Sequence, residues 1–337
     1  MGRRRPSADG PSGLLLVDKP AGISSAAVVA RVRRVLGGVK AGHTGTLDPF
    51  ATGLLPLCLG EGTKLAAYLT DADKTYEGVI RLGVTTDTLD RTGTVTETTD
   101  VPVVGPEKLE EVAARFRGPI EQVPPSYSAI KRGGRPMYEL ARRGEAPELE
   151  PRSVRVDRLE LTLLAPDQVG VSIDSSKGFY VRSLARDVGE ELGCAATLDS
   201  LQRTRVGRFL LVEAVTLDAL EGPEGVALAA ESLQSLDEAL SHLRRVAIGR
   251  GDAEALRLGR QSALLRIEPG ESGERIRLAA GNELVAVAAY EGRLWVLERV
   301  FAAPPQSLKS CSAGPYVLPA AVSQMEEEER NEANHRD

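Results

Sequence analysis

The residues best placed to do chemistry lie in Gly42-His43-Thr44-Gly45-Thr46-Leu47-Asp48-Pro49-Phe50-Ala51-Thr52-Gly53, which holds three glycines, a proline, one acid and one of only three histidines. Glycine permits positive φ and close backbone approach, while Pro49 fixes its own φ and pushes Asp48 towards an extended conformation. A regular helix or strand is therefore excluded, and the loop presents Asp48 in a set geometry. A carboxylate held in this way is available for covalent or acid–base work. An ordinary tight loop, whose aspartate hydrogen-bonds its own backbone, fits the local chemistry equally well.

Other candidates stand far from this loop in the chain. Lys74 to Gly83 alternates as a strand with Tyr76, Ile80 and Leu82 on one face. Tyr76 thus points the same way as core residues, and a packed tyrosine is the competing reading. Residues 122–152 interleave prolines, glycines, tyrosines and cations, Lys131 and Arg132 among them, before a short helix ending near Gly144. Such an excursion suits wrapping a phosphate backbone and stacking on bases; a plain surface loop is the alternative. Ser176-Lys177-Gly178-Phe179-Tyr180-Val181-Arg182 enters a helix that buries Val181, Leu184, Ala185, Val188 and Leu192 and stops at Gly193. Arg182 lies about 100° round from Val181, beside the buried stripe, and a half-buried arginine calls for a carboxylate partner. Gly60-Glu61-Gly62-Thr63-Lys64 lacks the ending that sets a lysine and a hydroxyl on phosphate and magnesium, so a nucleotide loop is rejected.

The elements that position these groups are legible in outline. Gly13 to Asp18 reads as a buried strand, Lys19-Pro20-Ala21-Gly22 as a turn, and Ser24 or Ser25 as the cap of a helix with Val28, Val29, Val32, Val35 and Leu36 at helical spacing. Leu54 to Leu59 is an apolar run. Leu109, Val112, Ala113 and Phe116 mark a helix closed by Gly118-Pro119, and strands are expected at 153–164 and 168–174. Alanine- and glutamate-rich helices from about 222 to 240 lead to short strands between Val246 and Phe301.

At 337 residues with 42% hydrophobic content, the chain can bury a real core. Cys58, Cys194 and Cys311 are widely spaced without a CxxC, which supports neither a disulfide framework nor a zinc site; buried, reduced thiols are expected. No apolar stretch approaches membrane-spanning length and no signal peptide is recognised, so the expected address is the cytoplasm. The net charge of -6 argues against a polyanionic partner, but its distribution argues back. Residues 1–64 hold nine Lys and Arg against four acids and residues 115–158 ten against six, while 326–337 hold six acids and two arginines. A polyanion can bind locally to such a chain.

Taken together, Asp18-Lys19-Pro20-Ala21-Gly22-Ile23-Ser24, the Asp48 loop, Lys74-Thr75-Tyr76, Leu82-Gly83 with Thr86-Asp87-Thr88 and Asp90, Pro124-Pro125-Ser126-Tyr127-Ser128-Ala129 and 176–182 closely resemble the TruB family of tRNA pseudouridine synthases. The motifs span nearly all of 13–212. The resemblance implies an α+β pseudouridine synthase fold, a central mixed and mainly antiparallel sheet flanked by helices and loops. It implies a catalytic domain (13–240) with an RNA-binding insertion (about 122–152) and a small, mostly β PUA-like RNA-binding domain (246–301); a disordered basic leader (1–12) and a weakly ordered acidic tail (304–337) are expected from composition and match nothing in the family.

It further implies isomerisation of the T-loop uridine of tRNA, at conventional position 55, without cofactor or metal, by a stand-alone enzyme with no obligatory protein partner, expected to be a monomer. Asp48 is then the catalytic aspartate, Arg182 its charge partner and Tyr76 the residue that stacks on the uracil. His43 fills the gap left by the flipped base. Lys19 and Lys64 are weaker candidates for phosphate or loop support, with Tyr180, Lys131 and Arg132 as RNA contacts. Two alternatives stay open: an RNA-binding or tRNA-folding module, and the guide-RNA-dependent relative of archaea and eukaryotes. The order of the motifs and the lack of a lysine-rich tail favour the stand-alone enzyme.

Overall fold

The computed structural model describes residues 10–127, 131–132, 135–136 and 149–303. Apolar on both faces, Leu14 to Val17 form the heart of strand β1 (Gly13–Lys19). Ser24, not Ser25, caps helix α1 (Ser25–Val35), its hydroxyl accepting from Ala27 N–H at 3.1 Å. Strands β2 (Ala41–His43) and β3 (Thr52–Leu59) flank the Asp48 loop and pair antiparallel with each other. A short helix α2 (Ala66–Leu69) leads to β4 (Lys74–Leu82), whose alternation follows the spacing expected, with Lys74, Ile80 and Leu82 buried.

Hairpin β5–β6 (Val84–Thr86, Val95–Thr98) precedes α3 (Pro106–Arg115). Gly118-Pro119 does not close that helix. The helix stops at Arg115, and Gly118, at φ +90°, opens strand β7 (Gly118–Gln122) on the sheet edge. The backbone of β8 (Lys131–Arg132) pairs with β9 (Arg135–Pro136). The rest of the basic excursion, including the helix expected to end near Gly144, lies outside the described residues, as do the first nine residues and the tail from 304. Strands β10 (Arg152–Ala165) and β11 (Gln168–Ser175) form a hairpin, and α4 (Val181–Leu192) ends at Gly193 with φ +78°.

Strand β12 (Ala196–Val206), which sequence periodicity missed, lies at the centre of the sheet. With β13 (Phe209–Leu210) and β14 (Val215–Thr216), the ten-stranded sheet runs β14-β1-β3-β12-β4-β11-β10-β7, with β13 on β12 and β2 on β3. Two of its pairings, β1–β14 and β3–β12, are parallel and the rest antiparallel, the mixed sheet expected. Leu184, Ala185 and Val188 of α4 pack on one face with Leu109 and Val112 of α3.

Helices α5 (Leu217–Glu221), α6 (Gly225–Glu231) and α7 (Leu236–Ala239) begin a few residues earlier than composition suggested. Beyond them β15 (Arg244–Ala247), α8 (Arg250–Arg257), β16 (Arg275–Ala280), β17 (Glu283–Glu291) and β18 (Leu294–Val300) build a second sheet ordered β15-β16-β17-β18. Leu284, Val287 and Phe301 of this unit share one core with Leu14, Leu16 and Leu54. Cys58 and Cys194 are free and buried, and burial pushes the Cys58 thiol up to about 12. Among the described residues no helix is long and apolar enough to cross a membrane.

Candidate active site

The Asp48 loop is held by its backbone. Ser25 Oγ accepts from Leu47 N–H at 2.8 Å and donates to the Leu47 carbonyl at 3.0 Å. On the other side of the acid, the Pro49 carbonyl accepts from Gly22 N–H at 2.8 Å and from Lys19 Nζ at 3.1 Å. Lys19 is completely buried and also donates to the carbonyls of Pro20 and Ile23, so its ammonium supports the loop. Burial pulls its pKa down to about 8, against the raising influence of Asp48.

Asp48 itself meets Arg182. Nη2 donates to Oδ1 at 3.1 Å and Nε lies 2.8 Å from Oδ2. The arginine is 4% exposed and the aspartate 32%, so the cation is sealed in while the carboxylate opens onto a cavity. Sequence placed Arg182 beside the buried stripe, half-exposed; the fold buries it because two remote segments close over it. Its Nη1 donates to the Thr88 carbonyl at 2.9 Å, its Nη2 to the Tyr127 carbonyl at 2.9 Å, and Asp90 Oδ2 lies 3.7 Å away.

Asp90 is fixed in turn by Thr92 N–H at 2.9 Å and by the hydroxyls of Thr88 and Thr92. Leu89 between them, at φ +60°, is the single non-glycine residue with positive φ among those described. Desolvation pushes the Asp48 carboxyl above the ordinary carboxylate range; Arg182 draws it back, Asp90 raises it, and Lys19 lowers it.

The cavity holds about 580 Å³, within the range of pockets that enclose a small ligand. Tyr76, Leu201, Phe179 and Val181 supply ring and apolar surface. The described lining carries five cationic side chains, Lys74, Arg152, Lys177, Arg182 and Arg203, against the single carboxylate of Asp48. Such a balance suits an anionic ligand. Tyr180 also lines it and is set by Gln122, whose side chain accepts from Tyr180 N–H at 2.8 Å and donates to the Tyr180 carbonyl at 3.1 Å.

His43 immediately precedes the lining residue Thr44. Desolvation and the nearby Arg203 charge lower its pKa, leaving the imidazole neutral at pH 7. His43 Nδ1 and Thr44 Oγ1 are buried without hydrogen-bond partners among the described residues. Lys64 stands elsewhere, pairing with Glu61 at 2.5 Å and donating to the Val300 carbonyl at 3.0 Å, where the two sheets join. The side chains of Lys131 and Arg132 lie outside the description. Sequence reasoning took Ser25 only as a possible helix cap and Asp90 only as part of a family motif, and gave no role to Gln122, Leu201 or Arg203.

Residues 33–181 match the family model for the TruB family pseudouridylate synthase N-terminal domain, and residues 182–246 that of the tRNA pseudouridylate synthase B C-terminal domain. The tRNA pseudouridine synthase B of Azoarcus sp. (strain BH72) is 45% identical over 279 residues, covering 83% of this chain and 91% of that protein. The chain belongs to the TruB family of pseudouridylate synthases.

The TruB-family enzyme of Stutzerimonas stutzeri (strain A1501), also named tRNA pseudouridine synthase B, is 51% identical over 234 residues, 68% of this chain and 76% of that one. Among solved structures the fold is similar to a chain of a Cbf5-Nop10-Gar1 complex, with a TM-score of 0.63 and 26% identity over 87% of this chain and 85% of that one. It is also similar to a chain of an H/ACA RNP bound to a substrate RNA containing 2'-deoxyuridine, with a TM-score of 0.64 and 23% identity over 88% and 86%. The two TruB models meet between Val181 and Arg182. Asp48 and Tyr76 therefore fall in the first, and Arg182, the cationic partner of Asp48, opens the second.

Proposed function

We propose that the protein isomerises the T-loop uridine of tRNA, at conventional position 55, to pseudouridine, with Asp48 as the catalytic carboxylate. The observation that carries this is the Asp48–Arg182 pair, its guanidinium buried and its carboxylate more exposed, on a cavity walled by Tyr76 and an excess of cations. A stacked base is out of reach of such a recess, so the nucleotide is flipped into it at an unstacking cost of roughly a few kcal/mol. The C1′–N1 bond breaks, uracil turns, and C1′ rejoins at C5; the C5 proton is lost and N1 gains one, so the composition of the RNA is unchanged.

Asp48 stands against the sugar and must be ionised, which Arg182 secures against desolvation. Tyr76 stacks on the uracil. His43, whose buried Nδ1 has no partner among the described residues, occupies the gap the base leaves, and Tyr180, Lys131 and Arg132 contact the RNA. We assign catalysis to residues 13–240 and RNA binding to a PUA-like domain at 246–301. Arg250, Arg260 and Arg293 there are exposed and form no ion pair among the described residues, a disposition that suits phosphate contacts. The enzyme works in the cytoplasm as a monomer. Identity of 45–51% to enzymes named tRNA pseudouridine synthase B, against 23–26% to chains from the Cbf5 and H/ACA assemblies, favours action without a guide RNA.

The test is incubation of the purified protein with unmodified tRNA transcript, followed by chemical mapping of pseudouridine. Modification of one T-loop uridine without added RNA or protein supports the proposal. Modification that requires a guide overturns it in favour of the guide-dependent relative, and tRNA refolding with no pseudouridine in favour of a folding module.

A further inference from the structure

Arg203, on β12, is the largest of the fully buried side chains and pairs with no carboxylate among the described residues. An unpaired guanidinium inside a protein is costly and is retained where its neighbours use it. Here the neighbours belong to the site. Nη2 donates to the carbonyl of Gly45, three residues before Asp48, at 3.1 Å. Nε donates to the carbonyl of Leu54, just beyond the loop, at 2.8 Å. A Cβ added to Gly45 would stand 3.5 Å from Nη1, so the loop backbone already rests against the guanidinium.

Across the β12–β4 pairing Arg203 lies directly opposite Tyr76, so the two side chains share one face of the sheet, and both line the cavity beside Asp48. Two neutral carbonyls would serve a mere cross-brace. The cross-strand neighbour is different, because Tyr76 is half-buried and lines the cavity.

We propose that Arg203 is a positioning residue for the isomerisation, fixing the Tyr76 phenol and the Gly45 backbone relative to each other and so to Asp48. The role runs through Tyr76, and rests on the substrate-facing place given to that residue above. An arginine suits it because one planar fork holds two carbonyls at fixed angles while lying beside the Tyr76 side chain; a lysine or a methionine does not.

A double-mutant cycle tests this. Single-turnover pseudouridine formation on saturating tRNA transcript is measured for wild type, Arg203→Met, Tyr76→Phe and the double variant, with tRNA affinity measured separately. Arg203→Met is expected to slow the reaction by about 30-fold or more with little change in affinity, and to add less than about threefold in the Tyr76→Phe background. Equal penalties in both backgrounds overturn the inference and make Arg203 a scaffold only. A Tyr76→Phe enzyme of full rate is a separate result: it shows that the phenol oxygen is not used and overturns the inference, while the stacking role of the ring stands. If Arg203→Met does not fold by circular dichroism, Arg203→Lys, which keeps the charge but not the fork, takes its place in the same cycle with the same two readings.

Discussion

Arg182 holds Asp48 through two nitrogens, Nη2 to Oδ1 at 3.1 Å and Nε to Oδ2 at 2.8 Å, and it does so from a position sealed off from solvent. Replacing Asp48 with asparagine keeps the shape and removes the charge. Turnover is expected to fall by about 10³-fold or more, with tRNA affinity nearly unchanged, because the carboxylate acts on the reacting bonds and contributes little to holding the RNA. Single-turnover assays beside filter-binding titrations check both halves.

The two neighbours of Asp48 shift its proton affinity in opposite directions, Arg182 downward and Asp90 upward. The reaction needs the ionised carboxylate, so the acid limb of the pH–rate profile marks its pKa. Arg182→Met is expected to move that limb to higher pH and to cost about 10²-fold in rate. Asp90→Asn is expected to move it to lower pH. The same direction of shift in both variants would remove Asp48 as the titrating group.

Ser25→Ala strips both hydrogen bonds from Leu47 and leaves a buried N–H and carbonyl unpaired. Stability is expected to fall by about 1–3 kcal/mol, and the single-turnover rate by about tenfold as Asp48 loosens. Urea denaturation and kinetics on the same preparation separate the two effects.

Lys64 tests the junction between the sheets. Lys64→Met removes the bond to the Val300 carbonyl and the pairing with Glu61, which itself accepts from Ala302 N–H at 2.8 Å. A loss of about 0.5–1.5 kcal/mol is expected, with faster hydrogen exchange in β17 and β18 and no change in rate at saturating RNA. A large loss of rate with exchange unaltered would return Lys64 to the RNA-contacting residues.

His43 offers a check on the free protein. Burial and the Arg203 charge hold its imidazole below its ordinary pKa of 6.5, so it protonates only at more acidic pH than a free histidine. Arg203→Met is expected to raise that pKa, read from the imidazole resonances in an NMR titration.

The Asp48 loop could be found in the sequence because glycine, proline and acid declare themselves locally, and its partners because their motifs resemble a known family. Strand β12 could not. Register shifts between Leu198 and Ser200 and between Arg203 and Arg205 break its alternation, and Arg203 fills an inward position where a pattern reader expects an apolar residue. Strand β7 hid behind Gly118-Pro119, a pair that ends helices as readily as it opens an edge strand. The burial of Arg182 depends on Thr88 and Tyr127, 94 and 55 residues away in the chain, and no local period carries such distances.

The loop anchored by Ser25, Lys19, Gly22 and Arg203 has one more consequence. The backbone of Gly45, Leu47 and Pro49 on either side of Asp48 is already committed before RNA arrives, so little compliance is left in this loop. Whatever bending brings uridine and carboxylate together falls on the RNA. An RNA whose loop yields easily reaches the same contacts at smaller elastic cost than a stiff one, even when both carry identical bases at the points of contact. Selection among RNAs then becomes a measurement of their mechanical softness, made against a loop fixed in advance.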